Sequence, residues 1–279
     1  MNESLRENIG FAYRKKIAAR NLTDISYNEA ALRYLEDNSN TASGDDAAAL
    51  FREITDCQFP DFNMLPEFAY FCREFTSVVD LNSHLDTSDD SDIMALSEVA
   101  YLRNTFSDKA YAVFTRNYKL VKAVYFSGME EACEEVYYER CSHAVIPIYN
   151  SVDGILMSLY KLLLKYDLKV ISACNISMND ESKMKYVLAV KNLPQRLNGR
   201  YIDFSVVLTD NRSYTALLNS LEILGAEIVM INSFPLDYTD ERYGLILQLD
   251  MKTSSTEAIR LFLEGSKIRY NIIGNYNLL

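Results

Sequence analysis

Residues 201–208, Tyr-Ile-Asp-Phe-Ser-Val-Val-Leu, decide how the chain is read. Ile202, Phe204, Val206 and Leu208 recur at every second position, the period of a strand with one buried face. Leu217, Leu218, Leu221 and Leu224 then form a helical stripe, and Gly225 stands where a helix terminator belongs. Ala226 to Ile231 reads as the next strand, and Leu245, Leu247 and Leu249 alternate in a third. Ala258, Leu261 and Phe262 mark a second helix, and Ile268 to Ile273 a last strand. The order βαββαβ predicts a ferredoxin-like unit over residues 200–279.

Upstream, residues 97–192 have a different rhythm. The apolar run Val99-Ala100-Tyr101-Leu102 is followed by a helical stretch from Asp108 to Phe114, then by a strand candidate from Leu120 to Tyr125. Met129 to Tyr138 and Ile155 to Leu164 read as helices, with strands at Ala144 to Ile148, Leu168 to Ser172 and Val187 to Val190. Alternating strands and helices predict an α/β lobe with parallel strands. Residues 1–80 read as a helical domain, from Ile17, Ala18, Ala30, Ala31, Tyr34 and Leu35 and then Leu50, Phe51 and Ile54. The polar runs Asn82 to Asp92 and Pro194 to Gly199 read as linkers.

Composition narrows the function. The 279 residues carry a net charge of −11, which opposes general binding to nucleic acid or anionic lipid. No run approaches the ~18 apolar residues of a membrane helix, and the polar start shows no secretory signal, so a cytoplasmic protein is expected. The cysteines Cys57, Cys72, Cys133, Cys141 and Cys174 are scattered, and only His84 and His143 could join them. Free thiols are expected, with no metal and no cofactor. Neither common glycine-rich phosphate loop occurs. His143 opens an apolar strand and reads as a structural histidine; Glu130, Glu131, Glu134 and Glu135 read as the solvent face of a helix.

Two passages carry a resemblance. Pro147-Ile148-Tyr149-Asn150-Ser151 with Gly154 is similar to the P-I-E-N-S…G motif of prephenate dehydratases. Ala100 to Ser107, through Arg103-Asn104-Thr105-Phe106, resembles the family's opening strand and glycine turn. The C-terminal unit resembles the ACT regulatory domain that follows in this family, with Asn232-Ser233-Phe234-Pro235 where the family has E-S-R-P and Ile273-Gly274-Asn275-Tyr276 where it has L-G-S-Y. Leu5-Arg6-Glu7-Asn8-Ile9 and Arg14-Lys15-Lys16-Ile17-Ala18 resemble pieces of the chorismate mutase domain of fused proteins, with Asn28-Glu29 at the mutase's Arg-Glu pair; the simpler reading of Arg14, Lys15 and Lys16 is a solvated helix face.

The resemblance implies an α+β chain: an N-terminal helical domain, one α/β lobe of a periplasmic-binding-protein-like dehydratase domain, and a ferredoxin-like ACT domain. It places degenerate catalytic equivalents at Thr105, Ser107, Asn150, Ser151, Met184 and Lys185. Met184 stands for the family's hydroxyl donor and cannot transfer a proton; Lys185 keeps a charge without arginine's planar fork. The stretch Ala173 to Lys183 is too short for the family's second lobe, which would exclude water. An amino-acid effector, phenylalanine or a similar one, is placed at Asp210, Thr215, Ala216 and Leu217 with Asn232, Ser233, Phe234 and Pro235. The expectation is an impaired enzyme acting as an amino-acid-binding regulator, homodimeric through the ACT domain. The alternatives are an active dehydratase or mutase of phenylalanine biosynthesis, and a scaffold without ligand.

Overall fold

The structure is a computed structural model that describes residues 43–55, 62–78, 96–177, 182–193, 199–208, 211–235, 243–252 and 255–279. Along the chain run α1 (Gly44–Thr55), a 3-10 turn (Phe62–Met64), α2 (Leu65–Val78), β1 (Glu98–Leu102), α3 (Thr105–Thr115), β2 (Lys122–Phe126), α4 (Met129–Tyr137), β3 (His143–Asn150) and β4 (Gly154–Ile155). Then come α5 (Met157–Lys165), β5 (Lys169–Ser177), β6 (Lys183–Val190), β7 (Tyr201–Val207), α6 (Asn211–Ile223), β8 (Glu227–Pro235), β9 (Tyr243–Asp250), α7 (Thr256–Gly265) and β10 (Arg269–Leu278). The mutase-like passages, Asn28-Glu29 and the run Asn82 to Asp92 lie outside the described residues.

Two compact units emerge, and they cut across the three domains read from the sequence. One holds α1, α2, α6 and α7; the other holds α3 to α5 and the described strands, β8 from Ile228 on. In the helical unit α7 buries Ala258, Ile259, Leu261, Phe262 and Leu263, more than one stripe of its surface. A helix apolar on most sides needs cover from more than one direction. Phe68 on α2 lies beside Phe262 with ring centroids 6.0 Å apart and the planes tilted, and Phe51, Phe71 and Phe75 extend the aromatic core. Glu264 Oε2 accepts from the Gly44 amide at 3.0 Å, and Arg73 Nη1 donates to the Ile223 carbonyl at 2.9 Å near the end of α6. Gly225, at φ +84°, reverses the chain there, a conformation that side-chain-bearing residues resist.

The strands of the second unit form one mixed sheet in the order β2-β1-β3-β6-β5-β10-β7-β9-β8, with β4 paired to β3. The expectation of parallel strands holds for β1 with β2 and β3 only. β6 runs antiparallel to both β3 and β5. Residues 178–182 alone connect β5 to β6, and so short a link can join only antiparallel neighbours. β10 pairs in parallel with β5, matching Gly274 to Val170 and Leu278 to Ala173, so the C-terminal strands continue the lobe's sheet. Lys169 clamps this seam, donating to Asn271 Oδ1 at 2.9 Å, to the Ile272 carbonyl at 2.8 Å and to Asp167 Oδ1 at 2.7 Å.

Helices cover the lobe's sheet on both faces. α3 packs Ala110 and Phe114 against Val99, Tyr101, Val145 and Tyr186. α4 and α5 pack on the other face, where one core runs from Ala100, Ile146 and Val187 on to Ile246, Ile273 and Tyr276. β7 therefore departs from its alternation: Asp203 and Ser205 are buried along with Ile202, Phe204 and Val206. Cys72, Cys133, Cys141 and Cys174 are free and buried, and burial pushes the Cys133 and Cys174 thiols up to about 12.

His143 is buried at the start of β3 beside Val99, with Nδ1 2.9 Å from Ser142 Oγ. Burial pushes its pKa down from 6.5 to about 4. The unfolded chain takes up this proton below 6.5 and the folded chain only below about 4. The stability it holds is complete above pH 6.5 and is lost as pH falls toward 4, by about 3 kcal/mol at most. Melting temperature of the wild type falls faster through this window than that of His143→Gln; parallel pH profiles refute the assignment.

Candidate functional site

The residues implied as catalytic gather at one end of the lobe's sheet, beyond the carboxyl ends of the parallel strands β1 and β3, where open α/β sheets place ligands. Asn104 caps α3: its side-chain oxygen accepts from the Phe106 and Ser107 amides at 3.0 and 2.9 Å. Asn150 closes the turn after β3, accepting from the Val152 and Asp153 amides at 2.9 and 2.6 Å. Ser151 staples that turn to β6; its amide donates to the Lys183 carbonyl at 2.9 Å and its Oγ accepts from the Lys183 amide at 3.1 Å. Met184 lies opposite Asn150 in the β3–β6 register.

Among the described residues at this end, the Ser107 and Tyr186 hydroxyls are engaged with each other and with their neighbours. Ser107 Oγ accepts from Asn104 Nδ2 at 2.9 Å and shares a hydrogen bond with the Tyr186 hydroxyl at 3.3 Å. Tyr186 in turn donates to Met184 Sδ at 3.7 Å. Both hydroxyls are buried, and burial pushes the Tyr186 phenol up. Met184 contributes a weak acceptor only. Thr105, at the first position of α3, is exposed.

Lys185 does not join them. Successive strand side chains face opposite sides, and with Met184 and Tyr186 against the α3 layer, Lys185 points with Val187 toward the other. There it meets a polar network absent from the sequence reading. Asp203 accepts from Gln248 Nε2 at 2.8 Å, from the Tyr276 hydroxyl at 3.0 Å and from the Tyr160 hydroxyl at 3.2 Å. Gln248 Nε2 also donates to Tyr276 Oη at 2.6 Å. Lys185 Nζ stands 3.5 Å from both Gln248 Oε1 and Tyr276 Oη, and 5.6 and 5.5 Å from the Tyr201 and Tyr276 ring centres. Burial raises the Asp203 pKa against the pull of its donors and of Lys185, and burial lowers that of Lys185 against the pull of Asp203. Asp203 and Gln248 occupy polar positions of alternating strands, which a single sequence assigns to solvent. Only the second packed layer, carrying Tyr160 on α5, puts them in the interior.

The residues implied for an effector divide between the units. Thr215, Ala216 and Leu217 lie one turn into α6, with Thr215 exposed and Leu217 buried. Asn232, Ser233, Phe234 and Pro235 end β8, the edge strand of the sheet. Asp210 lies outside the described residues. Among the described residues no three His, Cys, Asp or Glu side chains are placed to share a metal ion, and no helix is long and apolar enough to cross a membrane.

The prephenate dehydratase family model matches residues 99–198, a stretch that includes the lobe's strands at this end of the sheet. Solved structures share the fold. A prephenate dehydratase from Streptococcus mutans is 16% identical, at a TM-score of 0.56 over 65% of this chain and 98% of that one. A prephenate dehydratase from Arthrobacter aurescens, solved in complex with L-Phe, is 11% identical, at 0.53 over 64% of this chain and 90% of that one. GqqA, described as a novel type of quorum quenching acylase, is 14% identical, at 0.54 over 64% and 94%. No curated protein sequence matches the chain.

Proposed function

We propose that this chain is a prephenate dehydratase relative in aromatic amino acid metabolism that no longer dehydrates prephenate and serves as an amino-acid-binding regulator. The observation that carries the reading is the state of the proton donors. Met184 replaces the hydroxyl implied by the resemblance, and Ser107 and Tyr186 are buried and bonded to each other. The five-residue link between β5 and β6 supports it, because a second lobe inserted there would need a far longer chain. The succession β7-α6-β8-β9-α7-β10, with strands ordered β10-β7-β9-β8, supports the reading of residues 200–279 as an ACT domain. An effector such as phenylalanine is proposed at Asn232 to Pro235 on β8; the Arthrobacter structure, solved in complex with L-Phe, supports an amino acid as the kind of ligand.

The purified protein is expected to form no phenylpyruvate from prephenate above the acid-catalysed background, and to bind phenylalanine, tyrosine or tryptophan in calorimetry, more weakly after Asn232→Ala. Heat-labile turnover overturns the loss of catalysis. Silence with all three amino acids overturns the regulatory reading in favour of a scaffold.

We also propose a homodimer through β8. It is an edge strand with Val229 50% and Ile231 40% exposed, and an apolar open edge is a pairing surface. Light scattering at micromolar concentration is expected to give a dimer, and Val229→Lys with Ile231→Lys a monomer. A monomeric wild type ends the idea.

A further inference from the structure

We propose that Lys185 is a reactive amine that condenses with the carbonyl group of a small aldehyde or ketone, using the Tyr276 hydroxyl as its proton carrier. Three observations meet here, and none depends on the regulatory reading above.

First, the network is closed except at the amine. Tyr160, Asp203, Gln248 and Tyr276 are at most 5% exposed, whereas Lys185 is only partly buried. Of the five side chains, Lys185 is therefore the one partly open to solvent. Second, Lys185 is not engaged as a simple counter-ion. No carboxylate among the described residues lies within ion-pairing distance of Nζ, and its two polar neighbours stand at 3.5 Å, the limit of a hydrogen bond. Third, the neighbouring hydroxyl is set up to relay a proton. Tyr276 Oη is 3.5 Å from Nζ, and its hydroxyl donates to Asp203, which accepts from Tyr160 and Gln248 as well. Burial holds the ammonium below the ordinary lysine value, which increases the share of neutral amine, and holds Tyr276 well above its ordinary value, which keeps the phenol protonated.

The condensation balances without any redox partner. The nitrogen lone pair forms a bond to the carbonyl carbon, and the two amine protons end on the carbonyl oxygen, which leaves as water. Tyr276 hands a proton to the departing oxygen and is reprotonated from nitrogen. Asp203 accepts from the phenol and keeps it oriented.

The probe is glyoxylate with cyanoborohydride, which reduces the C=N bond to a stable secondary amine on the full-length protein. Peptide mass spectrometry compares the labelling rate of Lys185 with those of the exposed Lys119 and Lys161. Lys185 is expected to label about tenfold faster or more. Tyr276→Phe slows Lys185 by a similar factor and leaves Lys119 and Lys161 unchanged, with folding checked by thermal melting. Lys185→Arg keeps the cation and abolishes the adduct. Labelling of Lys185 no faster than of the two exposed lysines overturns the proposal, and this comparison needs only the wild type. An unchanged Lys185 rate in folded Tyr276→Phe overturns it equally.

Discussion

Asp203→Ala is expected to destabilise the protein by about 3–5 kcal/mol, the cost of removing one partner from a buried charged network. The carboxylate is fully buried and accepts from Gln248, Tyr160 and Tyr276. Its removal leaves two phenols and a carboxamide N–H without that acceptor, and each unmet buried donor costs on the order of 1–3 kcal/mol. It also takes away the negative charge that favours the Lys185 ammonium. Asp203→Asn keeps the shape and one acceptor oxygen and should lose about half as much. Urea titration of the three proteins measures this, and a loss below about 1 kcal/mol for the alanine variant would contradict the role of the network.

Gly274→Val is expected to open the seam between β5 and β10, at a cost of about 3 kcal/mol. A Cβ at Gly274 would lie 2.5 Å from Val170 Cβ and 2.7 Å from the Val170 carbonyl oxygen. That oxygen is backbone and Val170 is itself buried, so neither can swing aside. The pairings of Asn277 with Ser172 and Leu278 with Ala173 depend on the approach that glycine permits. Hydrogen exchange should show lost protection at residues 170–173 and 277–279, where the Leu279 amide donates to the Ala173 carbonyl at 2.8 Å. A variant that melts with the wild type and keeps that protection refutes the seam's importance.

Most secondary elements were legible in the residues. The leucine stripe of α6 with Gly225 behind it, the alternation in β9 and the apolar runs of β1 and β3 all appear where periodicity places them, within a few residues. Thr105, Ser107, Asn150, Ser151 and Met184 stand at one end of the sheet. The resemblance groups Lys185 with them, and the two-residue period of β6 sends its side chain to the opposite face.

Local pattern could determine the type of each element, because side-chain periodicity and turn chemistry act over a few neighbouring residues. The placing of Met184 at the family's hydroxyl position rests on the resemblance, not on periodicity. Which strands pair was decided only in three dimensions. β5 and β10 are clamped by contacts such as Lys169 to Asn271, 102 residues apart, and no periodicity records a partner at that distance. The same pairing extends the lobe's sheet into the C-terminal strands, so one core covers the far face of β7 as well. Asp203, Gln248, Tyr160 and Tyr276 thereby pass from apparent surface positions to a buried network around an amine, because burial is a property of the layers that close over a strand and not of the strand's own alternation.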